Sequence, residues 1–196
     1  WQIEPLIKKY RDSRLIEAVE PNHLNRPLRG AKSSPSDPRF SEQWNMLNIN
    51  MPGAWAIEQG NPGVVVAVVD SGIDLHHEDL RSQVWRNPHE IPGNGVDDDK
   101  NGYVDDIVGW DFSDAPTLPG RGDYTERDNE PGDETGHGTH VSGIIAASAN
   151  NGVGVAGIAW GCKIMPLRAG FVVASGGAFL QDDDVSAAIV YAADNG

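Results

Sequence analysis

Six consecutive apolar residues, Val64-Val65-Val66-Ala67-Val68-Val69, run directly into Asp70-Ser71-Gly72. A short β-branched run that is apolar on both faces suits the centre of a parallel sheet covered by helices; a half-exposed strand would alternate. This run constrains the chain to an α/β architecture more than any bulk property does. Its end matters as much. A carboxylate at the carboxyl end of such a strand stands where α/β sheets hold ligands and reacting groups. Asp-Ser-Gly is also ordinary turn chemistry, so Asp70 alone decides nothing.

The other elements follow from periodicity and punctuation. Residues 4–12 read as a short helix with an early Pro, and 15–19 as a strand. Residues 20–38 hold four prolines, one glycine and three serines, which predicts an exposed linker, with the main domain starting near Asp37-Pro38. A helix is predicted over 52–60, with Pro at its start and Gly at its end. Residues 71–135 show little periodicity, a length uncommon inside a domain unless functional or pinned. A helix over 137–149 is rich in Gly, Ala and Ser and can pack closely on a sheet. A second strand covers 162–167, a Gly-rich connection 169–181, and a helix 184–194 with acids in its first turn to suit the dipole. Strand, helix, strand, helix predicts a parallel β-sheet flanked by helices on both faces. The last helix lacks the strand it should lead into, so the sheet is expected to be incomplete at the C-terminus.

A net charge of −14, from 29 acids against 15 Lys and Arg, argues against nucleic acid and anionic membrane as partners. No stretch is long and apolar enough to span a bilayer, so no membrane insertion is expected. Cys162 is the only cysteine, which forbids an internal disulfide, and its apolar neighbours predict a buried structural thiol.

Gly136-His137-Gly138-Thr139-His140-Val141-Ser142-Gly143 opens the central helix. An imidazole at His137 can accept a hydroxyl proton while Asp70 holds its other nitrogen and stabilises the imidazolium. The plain alternative is an exposed histidine near a helix start. His140 reads as a packing residue or one that supports the site from behind, structural rather than catalytic. Neither His137 with His140 nor His76 with His77 has the further ligands a zinc site needs.

A second constellation is acidic. Asp97-Asp98-Asp99-Lys100-Asn101-Gly102-Tyr103-Val104-Asp105-Asp106 has the D-x-D-x-N-G start of a calcium loop. Val108 stands where an EF-hand needs its glutamate, so the loop is not an EF-hand. Asp105 or Asp106 can close the site instead, and Asp97, Asp99, Asn101 and Tyr103 complete the candidate ligands. The alternative is a solvated acidic turn.

Together, the Val68-to-Asp74 and His137-to-Ile144 segments resemble the subtilisin-like serine proteases, the subtilases. The likeness covers about residues 36–196. It includes 40–44, 54–55, His77-Glu78-Asp79-Leu80, 150–157 and 191–196, with Glu78 in place of the family's Pro. The resemblance implies that Asp70 and His137 are the triad Asp and His of a serine endopeptidase acting through an acyl-enzyme. It places the oxyanion Asn and the nucleophilic Ser beyond Gly196, so the chain alone is expected to be inactive. It implies an extended substrate-pairing edge at Ser175, Gly176 and Gly177. It also implies a second calcium site from Gln43, Asp79 and Asn151, with Asn150 as a competitor.

Residues 14–22 resemble the end of an inhibitory propeptide, which divides the chain into a propeptide remnant (1–28), a processing region (29–36) and the N-terminal half of a peptidase domain (37–196). Polypeptide substrates, the propeptide as an intramolecular inhibitor, structural Ca2+ and secretion follow as expectations from that family, although no signal peptide is visible. The competing reading is a non-catalytic, calcium-stabilised binding module or a degenerate homologue.

Overall fold

The computed structural model describes residues 34–196, with Pro5 and Lys8 as isolated helical positions ahead of them. The chain divides into two units, Trp1–Gly30 and Ala31–Gly196. Apart from those two positions, the expected 4–12 helix, the 15–19 strand and the propeptide end lie outside the described residues.

A short 3-10 turn, Phe40–Glu42, precedes α1 (Trp44–Asn48) and α2 (Met51–Ala54). Then come β1 (Val65–Asp70), β2 (Trp110–Asp111) and β3 (Gly120–Arg121). The helix α3 (His137–Ala146) is followed by β4 (Lys163–Arg168), β5 (Gly170–Val173), β6 (Ala178–Leu180) and α4 (Asp182–Asn195). Strands β1, β4 and β2 form a parallel sheet in the order β1-β4-β2, and β3, β5 and β6 form a small antiparallel one. The fold is α/β.

Strand alternation explains the layers. Val66 and Val68 pack with Ile164 against Val141, Ile145 and Ala146 of α3. Val65 and Val69 pack with Met165 and Leu167 against Ala188 and Tyr191 of α4. One helix thus covers each face, as the doubly apolar run requires. The same alternation turns Asp70 to the α3 side. A third cluster buries Met46, Trp55 and Ala156. Pro166 sits inside β4 without breaking it. Lys163 N donates to Val64 O and Ala169 N to Asp70 O, so odd-numbered amides face β1 and the Pro nitrogen faces the other side.

Several boundaries differ from the sequence reading. The expected 52–60 helix shrinks to Met51–Ala54 because Trp55 turns into the core and its Nε1 donates to Ile158 O at 2.8 Å. The 137–149 helix stops at Ala146, where Ala147 turns to ψ 137° and its carbonyl accepts from Gly157 N. The linker prediction fails at its end: Pro35 and Asp37 are buried, and Asp37 accepts the Asn150 and Asn151 amides. The Gly-rich 169–181 connection is a β-hairpin, β5 to β6. Ser175, Gly176 and Gly177 are its turn rather than an extended edge. Gly176 N donates to Val173 O with Gly176 at φ 84°, and Val173 N donates to Gly177 O. Glycine is what lets this chain reverse there.

Candidate active site

β1 and α3 meet at their ends. His137 is the first residue of α3, and its Nδ1 lies 2.7 Å from Asp70 Oδ1 and 2.9 Å from Oδ2. With Asp70 ionised, Nδ1 carries the proton and donates, which leaves Nε2 as an acceptor. The hydrogen bond His137 donates to Asp70, and then the negative charge of Asp70, raise the imidazole above its ordinary 6.5. The His137 side chain is 70% exposed, so Nε2 is open to a reacting group. Among the described residues, no serine hydroxyl bonds the imidazole. Ser142 is buried, Ser148 pairs with Ser82, and Ser186 donates to Asp182 O.

This contact requires the helix start to approach the strand end closely. A Cβ on Gly138 would lie 2.1 Å from Gly72 O, so only glycine fits. The junction is then tied by Asp133. Its Oδ1 accepts Ser71 Oγ at 2.9 Å, Thr135 N at 2.8 Å and Gly136 N at 2.9 Å; its Oδ2 accepts Thr139 N at 2.9 Å and Thr139 Oγ1 at 2.5 Å. Burial works against ionisation of Asp133, but the Thr139, Thr135 and Gly136 bonds outweigh it and hold its pKa below the usual carboxylate value. Ser71 Oγ in turn accepts from Gly138 N at 3.0 Å and Thr135 Oγ1 at 2.7 Å. His140 is exposed and lines an open groove with Trp44 and Ile144, which overturns the packing alternative of its reading.

Behind the junction stands Arg168, 2% exposed and in register with Asp70. Its Nη1 donates to Asp111 Oδ2 at 2.9 Å, and its Nη2 donates to Glu134 Oε2 at 3.1 Å and to Asp123 O. Burial pushes the Asp111 carboxyl up to about 7, although Ser113 N and Arg168 pull the other way.

The acidic loop converges on three carboxylates. Glu90, Asp99 and Asp106 offer oxygens that lie within 4.8 Å of one another, and Glu90 and Asp106 are buried. Asn87 Nδ2 bridges Asp99 and Asp106 at 2.9 and 3.0 Å, and Asn101 Nδ2 donates to Asp106 at 3.0 Å. Tyr191 OH donates to Asp106 Oδ2 at 2.5 Å, and burial followed by Asp106 pushes the phenol pKa upward. Asp97 caps the loop by accepting Asn101 N and Gly102 N. Tyr103 packs its ring against Trp110, Phe112 and Tyr191. The Asp105 carboxylate leaves the group and accepts Gly93, Asn94 and Gly95 N–H instead. Among the described residues, no Lys or Arg forms an ion pair with Glu90, Asp97, Asp99, Asp105 or Asp106.

Gln43, Asp79 and Asn151 also come together, around the 150–156 loop. Asp79 Oδ1 accepts Asn151 Nδ2 at 2.7 Å and Oδ2 accepts Val155 N at 2.9 Å. Gln43 exchanges both its amide groups with Ala156 at 2.9 Å. These oxygens accept N–H donors of the 151–156 segment.

A model of the subtilase family matches residues 61–196. The chain belongs to the subtilase family. It is 32% identical over 195 residues to a thermophilic serine proteinase of Bacillus sp. strain AK1, covering 99% of this chain and 38% of that protein. It is 34% identical over 178 residues to an extracellular basic protease of Dichelobacter nodosus, covering 78% of this chain and 25% of that one. In structure it resembles a protease from Pseudoalteromonas arctica PAMC 21717, with a TM-score of 0.62 and 29% identity, covering 84% of this chain and 45% of that one. Fervidolysin from Fervidobacterium pennivorans, a keratinolytic enzyme related to subtilisin, is similar at a TM-score of 0.56 and 27% identity, covering 91% of this chain and 23% of that one. The chain thus spans less than half the length of each of these relatives.

Four residues of this subtilase site escape sequence reasoning: Ser71, Glu90, Asp133 and Arg168. Ser71 follows Asp70 and Asp133 lies four residues before His137, a usable signal. Glu90 lies seven residues before the acidic run, and only folding brings it there.

Proposed function

We propose that this chain supplies the Asp–His part of a secreted serine endopeptidase. The observation that carries the reading is His137 held through Nδ1 by Asp70, with Nε2 left open. In that reaction His137 takes the proton of a serine hydroxyl as it attacks a peptide carbonyl, and returns it to the leaving amine. Asp70 keeps the imidazole in the right tautomer and stabilises its charged form. The serine and the oxyanion donors come from sequence outside these 196 residues. The substrate class, polypeptide, follows from family membership, and secretion follows from relatives named as extracellular. Among the described residues, no helix is long and apolar enough to cross a membrane.

The test is peptide hydrolysis by two proteins: this chain, and the chain extended through the family's serine segment. The first is expected to be inactive. The second is expected to turn over substrate and to lose that activity in His137→Ala. Turnover by the 196-residue chain that His137→Ala abolishes would overturn the claim of inactivity. An extended enzyme indifferent to His137→Ala would overturn the whole reading.

Calcium is part of the proposal. Hard oxygen ligands suit Ca2+, and three carboxylates converge at Glu90, Asp99 and Asp106, with no Lys or Arg in an ion pair to them among the described residues. Asp97 and Asn101 shape the loop around them. A cation there would pin the 71–135 interval and stabilise the site from a distance. The further expectations, a second calcium at Gln43, Asp79 and Asn151 and a propeptide acting as inhibitor, rest on the family resemblance.

A further inference from the structure

The residue before Gly136 that gathers most donors is neither Asp70 nor His137. α3 begins at His137 behind the N-cap residue Gly136, which has no side chain to cap the first turn, so the leading N–H groups need partners from elsewhere. Asp133 supplies them from three residues upstream: Gly136 N and Thr139 N bond its two oxygens. The same carboxylate accepts the hydroxyl of Ser71, the residue that follows Asp70 in the strand-end turn. Ser71 accepts in return from Gly138 N, the residue that follows His137. Thr139 completes the loop: its hydroxyl donates to Asp133 and accepts from Asp74 N at 2.9 Å.

Resting on the triad reading above, we propose that Asp133 is a positioning residue that sets the His137 imidazole against Asp70, acting through Ser71 and Thr139. It touches neither the imidazole nor the site of a reacting atom. One anchored carboxylate spans the carboxyl end of β1 and the first turn of α3, which are the two elements that must keep a 2.7 Å contact. Replacing it by asparagine retains the oxygen for Ser71 but turns an amide donor toward Thr139 N–H. Donor then faces donor, and the helix start is released.

The experiment follows the pH titration of the His137 ring protons by NMR in the 196-residue chain. Asp70→Asn is the reference, expected to bring the imidazole down toward its ordinary 6.5. Ser71→Ala and Asp133→Asn are each expected to shift it in the same direction. The double variant should shift less than the two single effects added, because both act through one network. Ser71→Ala is decisive because it removes no charge. If Asp133→Asn shifts the titration and Ser71→Ala does not, Asp133 acts only by its field and the proposal fails. If both variants melt at lower temperature with the titration unchanged, the network serves stability alone and the proposal fails. If Asp133→Asn does not fold, Thr139→Val takes its place, with the same expectation and the same failing outcome. An unmoved titration in Asp70→Asn would instead overturn the Asp70–His137 pairing itself.

Discussion

Two acidic knots lie behind the site, and they are built differently. Around Arg168, carboxylates from Asp111, Asp123 and Glu134 close on a guanidinium that the chain itself provides. Around Glu90, Asp99 and Asp106, the donors are neutral: Asn87, Asn101, the Tyr191 hydroxyl and backbone amides. Neutral donors soften but do not cancel two buried negative charges. The first knot is complete as a polypeptide, whereas the second has an electrostatic place for a cation. A third group tests the rule. Asp114, Asp183 and Asp184 also converge, and there Arg127 bonds both Asp114 and Asp184. Of these three clusters, only the one at Glu90, Asp99 and Asp106 has no arginine bonded into it.

The largest expected effect comes from removing the internal cation. Arg168→Met leaves Asp111 buried without its partner and is expected to lower unfolding stability by about 3–5 kcal/mol in a denaturant titration. The loss should be greatest above the Asp111 value of about 7 and shrink as the pH falls below it, where that carboxyl is protonated. A uniform loss at all pH values would mean that packing, not charge, is what Arg168 contributes.

Next is the external cation. Calcium at a hundredfold its dissociation constant should stabilise the chain by about 2.7 kcal/mol, read as a rise in melting temperature. Asp97→Ala combined with Asp99→Ala should abolish the rise, and Glu90→Gln should weaken it. A calcium-dependent shift that survives all of these places the site elsewhere and breaks the contrast. Arg168→Met should leave the calcium effect intact.

Arg127→Met should cost less than Arg168→Met, about 1–2 kcal/mol, because Gln181 Nε2 still donates to Asp184 at 3.1 Å and Arg127 itself is partly exposed. Burial already raises the Asp184 carboxyl, against the pull of Gln181 and Arg127, so the variant should raise it further.

The smallest of these effects on stability belongs to the Asp70–His137 pair, whose imidazole is open to solvent. His137 is raised in the folded chain, so its contribution is present in full below 6.5 and is lost as the pH rises through the folded value. Asp70→Asn should remove that pH dependence while changing overall stability little, since the pair is open to water and screened. A large loss of stability in Asp70→Asn would show that Asp70 holds the fold as well as the imidazole.

The Asp70 and His137 segments were legible because each is local. A doubly apolar run ending in Asp70, and a Gly-flanked His137 opening a helix of small residues, state their elements and their ends within a few positions. The alternation of β1 puts Asp70 on the face of Val66 and Val68, which in the structure is the one α3 covers. The 71–135 interval was opaque for the opposite reason. Its order comes from side chains accepting distant amides, such as Glu90 with Asp98, Asp99 and Asp105, which leave no periodicity to read. Asp105 was a fair candidate by spacing, yet its carboxylate found three amides of the 93–95 turn nearer than its acidic neighbours. Ser175-Gly176-Gly177 misled because glycines that permit an extended edge also permit a hairpin turn.

The amino-acid sequence by itself determined the α/β class, the layer arrangement and the identity of Asp70 and His137, because hydrophobic period and glycine placement act over short distances. Only the tertiary structure decided which acids meet a guanidinium and which meet only neutral donors, because charge balance depends on distances between residues far apart in the chain. Arg168 lies 57 residues from Asp111 and 34 from Glu134, and nothing in their local sequence announces that they share one buried contact.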